Sequence, residues 1–173
     1  NGLAGEMGHI NVKSDGRHCH CGKIGCLETY VSATGIKRTV SKLLADRSAA
    51  SRLRSVSFDQ LTGKMVTEAA LAGDPIAEEA YRYTADILGQ KLADAAAFFD
   101  PEAIILAGGL TKAGGLLLVP TQQSFEKHIF PPLQGKVKIL ISKMEDANAA
   151  VQGAAALVWS GLESYLPENA TVI

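Results

Sequence analysis

Apolar positions recur at helical spacing along most of this chain, with two short stretches where the pattern changes to that of a strand. Over residues 28–44, Val31, Ile36, Val40, Leu43 and Leu44 share one face and predict a helix, with Gly35 as its weak point. Residues 47–58 are polar and rich in serine and arginine, which predicts an exposed connection. Its arginines, Arg47, Arg52 and Arg54, are expected on a solvated surface rather than against an anion. Residues 65–72 predict a short helix ended at Gly73. Asp74 followed by Pro75 is a helix start signal: an N-cap, then the one residue type whose missing N–H costs nothing in the first turn. From there Ile76, Ala80, Tyr83, Ile87, Leu88, Leu92, Ala95 and Phe99 keep the period and predict a long helix to about residue 99. Ala93, Ala95, Ala96 and Ala97 suit close packing near its end.

Asp100-Pro101 closes that helix. Residues 102–107 form the short apolar run of a buried parallel strand, followed by Gly108 and Gly109 and then a helix within 114–129. Residues 136–142 alternate through Val137, Ile139 and Ile141, as a half-buried or edge strand does. His128 is expected to be structural. An alanine-rich helix over 148–165 closes the chain, with Trp159 as a core or interface anchor rather than a ligand stack. Strands interleaved with helices place the chain in the α/β class.

Composition narrows the function. The chain has 173 residues, 47% hydrophobic and 20% charged, which is globular composition and excludes a disordered chain. Its 17 basic and 18 acidic residues leave a net charge of −1, which argues against a nucleic-acid surface and fits a small-molecule substrate better than DNA. No apolar run approaches the roughly 20 residues that span a bilayer, so no membrane partner is expected. No signal peptide opens the chain, and reduced, clustered thiols fit the cytoplasm. The chain lacks an initiator Met and begins inside a motif, so it is expected to be a piece of a longer protein.

All three cysteines lie in one eight-residue stretch, Cys19-His20-Cys21-Gly22-Lys23-Ile24-Gly25-Cys26. An odd count without an export signal argues against a disulfide framework. Close thiolates, with glycines that permit tight turns, suit a soft tetrahedral ion such as zinc. Cys19 and Cys21, alternate residues of a turn, can face one centre, and Cys26 returns as the third ligand. His9, His18 and His20 are the candidates for a fourth. His18 and His20 neighbour ligating cysteines and converge poorly on the same ion, which favours His9. Four protein ligands make the zinc structural rather than catalytic, since no position remains for water. The alternative is a loop of reduced cysteines that holds no metal.

The residues flanking the cysteines carry a resemblance. Ala4-Gly5-Glu6-Met7-Gly8-His9 and the run from Cys19 through Gly25-Cys26-Leu27-Glu28 resemble the ROK family, which groups repressors, open reading frames of unknown role and sugar kinases. Both motifs fall within residues 4–28; the remainder is similar more loosely, and residues 29–36 resemble the glucokinase branch. The resemblance implies zinc on His9, Cys19, Cys21 and Cys26. It implies that Glu6, His9 and Glu28 face a hexose, probed most directly with glucose. Carboxylates suit vicinal hydroxyls, and imidazole can hold zinc through one nitrogen and meet a hydroxyl with the other. The bland alternative has Glu6 and Glu28 solvated, or Glu28 at a helix N-terminus favoured by the dipole.

Strand followed by glycines resembles the family's adenosine motif, over 102–110, which implies an ATP contact at Gly108 and Gly109. From the residues alone, a plain strand-to-helix turn explains them equally well. The resemblance implies an actin-like, ribonuclease-H-like C-terminal lobe over 1–173, with an inserted zinc-binding loop and without the N-terminal lobe. An aspartate base, ATP and magnesium would belong to the full-length protein, so no residue here is nominated as the base and the piece alone is expected to be inactive. A homodimer is implied too. Three classes compete: an ATP-dependent glucokinase-like kinase acting at the sugar 6-hydroxyl, the sugar-sensing lobe of a ROK repressor, and a zinc-stabilised interaction module.

Overall fold

The computed structural model describes residues 5–144 and 146–163. The chain divides into two units, Asn1–Ile141 and Ser142–Ile173. In the first, helices α1 (Ala33–Asp46), α2 (Gly63–Leu71), α3 (Pro75–Phe99) and α4 (Gly115–His128) accompany strands β1 (Ala103–Leu106) and β2 (Lys138–Ile141). The second holds α5 (Asp146–Glu163).

Helices α1, α2 and α3 each start where a short polar side chain can take orphan N–H groups. The Ser32 hydroxyl accepts from the Gly35 N–H, and Thr62 accepts from the Met65 N–H. Asp74 accepts from the Ile76 and Ala77 N–H groups, with Pro75 next in line as predicted. Ser32 accounts for one difference from the sequence reading: α1 begins at Ala33, while Leu27–Thr29 forms a separate single-turn 3-10 helix. Glu28 therefore stands on that turn and not at the N-terminus of α1.

The core gathers around α3. Tyr81, Ile76, Leu61, Val66, Ile36, Val40, Leu117 and Phe125 are all buried, and the Tyr81 hydroxyl meets Thr67 Oγ1 at 2.6 Å. Helix α4 packs closely on α3 because residue 89 is glycine: a β-carbon there would lie 2.5 Å from the Thr121 carbonyl oxygen. The alanines near the end of α3 divide, Ala93 and Ala96 buried and Ala97 exposed. Phe99, a predicted core position, is 72% exposed instead, because Asp100 turns left-handed at φ 43° and ends the helix there.

Strand β1 pairs in parallel with β2, Ala103 opposite Lys138 through Leu106 opposite Ile141, with α4 as the crossover. The parallel strand at 102–107 is thus present, but it is not buried on both faces: Ile105 points outward at 66% exposure. The alternation predicted for the second strand holds, with Val137 and Ile139 buried and Leu140 outward.

The connection over 47–58 is exposed at most positions, as expected, but it is not without structure. It contains a 3-10 turn, Arg52–Ser55, whose Leu53 is buried. Arg54 is exposed, as expected, and its guanidinium also donates to the carbonyls of Leu44, Arg47 and Ala49 at the C-terminal end of α1. Arg47 pairs with Glu79 at 3.0 Å. Polar composition predicts exposure on average, but a guanidinium fork is also a good acceptor-seeking cap. His128 is structural as expected, Nδ1 lying 2.7 Å from the Ser124 carbonyl. On α5, Trp159 is 57% exposed, and residues 164 and 165 of the predicted helix lie outside those described.

Candidate metal and sugar site

The loop that carries the cysteines is folded by its own backbone. Residues Asn11 and Cys26 form an antiparallel bridge, as do His18 and Ile24. The Val12 N–H donates to the Gly25 carbonyl at 2.7 Å and the Leu27 N–H to the Ile10 carbonyl at 3.0 Å. Gly25 sits at φ 76°, and a β-carbon there would run into the Lys13 carbonyl, so only glycine fits the turn that brings Cys26 back. Lys23 ties the two halves by donating to the His9 carbonyl at 2.6 Å.

These turns bring His9, Cys19, Cys21 and Cys26 together, their ligand atoms all within 4.8 Å of one another. The spacing fits a tetrahedral ion. Zinc–sulfur bonds of about 2.3 Å place two sulfurs about 3.8 Å apart, and a sulfur and a nitrogen about 3.6 Å apart. Cys21 Sγ and Cys26 Sγ are 3.7 Å apart, and Cys19 Sγ and His9 Nδ1 are 3.6 Å apart. Of the three candidate histidines, His9 joins this quartet and His18 does not. His20 stays outside the quartet, its Nδ1 3.0 Å from Glu28 Oε1.

Glu28 stands beside the quartet. Its Oε1 accepts from Cys19 Sγ at 3.1 Å and lies 3.0 Å from His20 Nδ1. His9 reaches the quartet through Nδ1, and its Nε2 lies 4.0 Å from Glu6 Oε2. The three predicted sugar-facing residues, Glu6, His9 and Glu28, are therefore gathered at one edge of the metal loop. Glu6 is the most exposed of them, its side chain 64% accessible.

Arg17 was missed by the sequence reading. Its Nη1 donates to the carbonyls of Thr29 at 2.7 Å and Gly35 at 2.9 Å, and its Nη2 donates to Thr39 Oγ1 at 2.9 Å. The guanidinium lies 4.4 Å from the centre of the Tyr30 ring, whose hydroxyl accepts from the Arg17 N–H at 3.1 Å. One side chain thus clamps the metal loop to the start of α1, on either side of the turn that bears Glu28. Burial draws its pKa below the ordinary arginine value.

A second feature adjoins that turn. A cavity of about 680 Å³ is walled by Ser32 and Ala33 on one side and by Gly108, Gly109 and Thr111 on the other, with Lys64 from α2 at its border. Its size is that of a small-molecule or cofactor pocket. A β-carbon at either Gly108 or Gly109 would meet only open space, so the glycines leave the wall bare of side chains.

Solved relatives share this fold. A ROK family glucokinase from Streptomyces griseus, determined in complex with glucose and AMPPNP, superposes with a TM-score of 0.78 at 37% identity, over 90% of this chain and 51% of its own. The α/β fold is that of the actin-like sugar kinases. The ROK family profile matches residues 1–160, and the chain belongs to the ROK family. Among characterised relatives, the glucokinase of Halalkalibacterium halodurans is 38% identical over 88% of this chain. The DNA-binding transcriptional dual regulator NagC of Escherichia coli is 35% identical over 91% of it. The chain spans 47% of the first and 37% of the second, about half the length or less of the relatives it matches. No helix among the described residues is long and apolar enough to cross a membrane.

Proposed function

We propose that this chain is the C-terminal part of an ATP-dependent hexose kinase, with glucose as the hexose and its 6-hydroxyl as the acceptor. In this reading His9, Cys19, Cys21 and Cys26 hold a structural zinc. Glu6, His9 and Glu28 bind the sugar, and Gly108 and Gly109 border the adenosine of ATP. Zinc would supply rigidity and no chemistry: four protein ligands leave it no open position. Glu28 and Glu6 would accept from sugar hydroxyls, and His9 Nε2 would meet another while Nδ1 stays on the metal side.

One observation carries the reading. The turn Leu27–Thr29 and the residues just after it serve two places at once: Glu28 faces the metal loop, and Ser32 and Ala33 wall the cavity beside Gly108. A sugar site and a nucleotide-sized cavity built from one short segment suit transfer between two bound substrates. ATP with magnesium would provide the phosphoryl group, and the base that takes the hydroxyl proton is assigned to the preceding half, along with the greater part of the phosphate contacts.

The test is sugar-dependent ADP release by the full-length parent protein, with glucose in a panel of hexoses. Turnover with glucose, lost in Glu28→Gln, is the expected result. Sugar binding without turnover would instead favour the regulator reading that the NagC similarity supports, and would direct attention to DNA. Unchanged sugar affinity in a Glu6→Gln, Glu28→Gln double variant would leave only a zinc-stabilised interaction module.

A further inference from the structure

His20 is the residue between two metal-ligating cysteines, and the quartet makes no use of it. With Cys19 and Cys21 gathered in the quartet, the side chain between them is left beside it, against Glu28 and His9. There its Nδ1 comes 3.0 Å from Glu28 Oε1, and its ring meets the His9 ring edge-on with centroids 5.6 Å apart. Atoms of His9, His20 and Glu28 all lie within 4.8 Å of one another. His20 itself is 78% accessible, so nothing about the packing of the core requires it there.

The two oxygens of Glu28 have different surroundings. Oε1 lies 3.0 Å from His20 Nδ1, the contact that remains once Cys19 gives up its proton to a metal. Oε2 lies toward Gly8, about 4.0 Å from where a β-carbon at that position would stand, and so faces the motif that carries Glu6 and His9. A carboxylate only accepts, so the Nδ1 of His20 must be the protonated nitrogen of the pair. The contact fixes the rotation of the Glu28 carboxylate: with Oε1 engaged, Oε2 is the oxygen left to receive a hydroxyl.

We infer that His20 is a positioning residue for sugar binding, acting through Glu28 rather than through the metal. The inference rests on Glu28 being a sugar ligand, as proposed above. Holding the carboxylate in one orientation spares the ligand the cost of ordering it on arrival. Of the side chains around this site, His20 can be changed without touching a metal ligand or the Arg17 clamp.

Two measurements on the full-length parent protein, loaded with zinc, test it. The first is hexose affinity by calorimetry, with glucose first. His20→Ala should weaken binding roughly tenfold, the scale of one hydrogen bond to a charged group. Zinc content and melting temperature should stay as in the wild type. His20→Asn should restore most of the affinity, since its amide nitrogen stands where Nδ1 stood. Equal affinity in wild type and His20→Ala overturns the inference, and so does loss of zinc along with affinity, which would make His20 part of the metal loop.

The second measurement needs no sugar. Long-range nitrogen–proton spectra of the His20 ring should show Nδ1 protonated, with signals that move in Glu28→Gln. A ring protonated at Nε2 and indifferent to Glu28→Gln overturns the inference. If wild type takes up no hexose in the panel, the sugar-site reading of Glu28 fails by itself, and the ring spectrum still decides whether His20 holds that carboxylate.

Discussion

Cys19 holds its proton hard. The Cys21 backbone N–H draws its pKa down, but burial, the Glu28 carboxylate and the Cys21 and Cys26 sulfurs outweigh it and push it up to about 12. Cys21 moves the other way, drawn down chiefly by the Lys23 backbone. A thiol must give up its proton to bind zinc, so affinity falls as pH falls. Below its pKa, Cys19 alone contributes a factor of about ten per pH unit. Competition titration with a chelator between pH 6 and pH 8 should show at least that slope, and Cys26→Ser should abolish tight binding at every pH. A flat profile would exclude thiolate coordination. The gathering of the cysteines and His9 was readable because all four lie within residues 9–26. Arg17 was not: its partners Thr29, Gly35 and Thr39 stand 12, 18 and 22 residues further on, and no spacing rule links a guanidinium to carbonyls at such distances.

At the scale of elements, the start of α3 shows what local sequence can determine. Asp74 is buried, yet it caps Ile76 and Ala77 and also accepts from the Arg52 N–H at 2.9 Å. Burial pushes its pKa up; hydrogen bonds from Ser51 and from the Ala77, Arg52 and Ile76 N–H groups outweigh this and hold it below the ordinary aspartate value. Because the folded value is depressed, the ionised form stabilises the fold above the unfolded pKa, near about 4, and that stability is lost as pH falls through the folded value. Asp74→Ala should cost about 0.5–2 kcal/mol at neutral pH by denaturant titration. The difference between wild type and Asp74→Asn should begin to shrink at about pH 4, as the unfolded chain protonates, and vanish once pH falls below the folded value. A difference constant with pH would show that the carboxylate's charge contributes nothing. The cap and Pro75 announced this helix in two residues. The start of α1 was less legible, because the apolar face continues backward through Val31 and Leu27 while the backbone breaks at Ser32. Strand β1 was legible as a strand, but its outward face was not, since a run of apolar residues predicts two covered sides and cannot say what covers them.

Across the first unit, the metal loop and the helical core differ in what holds them. The core around α3 is broad and apolar, from Ile36 and Val40 through Tyr81 to Phe125. The loop contributes Leu27 and Tyr30 to a small separate cluster with Ile87 of α3, and its turn Met7–His9 buries no residue fully. Most of its order therefore rests on backbone hydrogen bonds close to water, which are among the first to open, and, in the function proposed above, on the zinc. Structural zinc in small modules contributes on the order of 10–16 kcal/mol. Removing it should uncouple the two regions. Amide exchange with and without a strong chelator should show protection lost at Val12, Cys19, Gly25 and Leu27, whose N–H groups bond within the loop. Protection along α3 should persist around Ala77, Tyr81 and Leu92, which are buried in the broad core, while Ile87 packs on Leu27 and Tyr30 of the loop. Loss along both would mean that the metal holds the whole unit, through the Arg17 clamp and Tyr30. Loss at neither would mean that the loop's own turns and the Lys23 and Arg17 bonds suffice. Only the selective result agrees with a zinc that serves to shape Glu28 and His9 for a ligand while the helices keep the cavity wall in place.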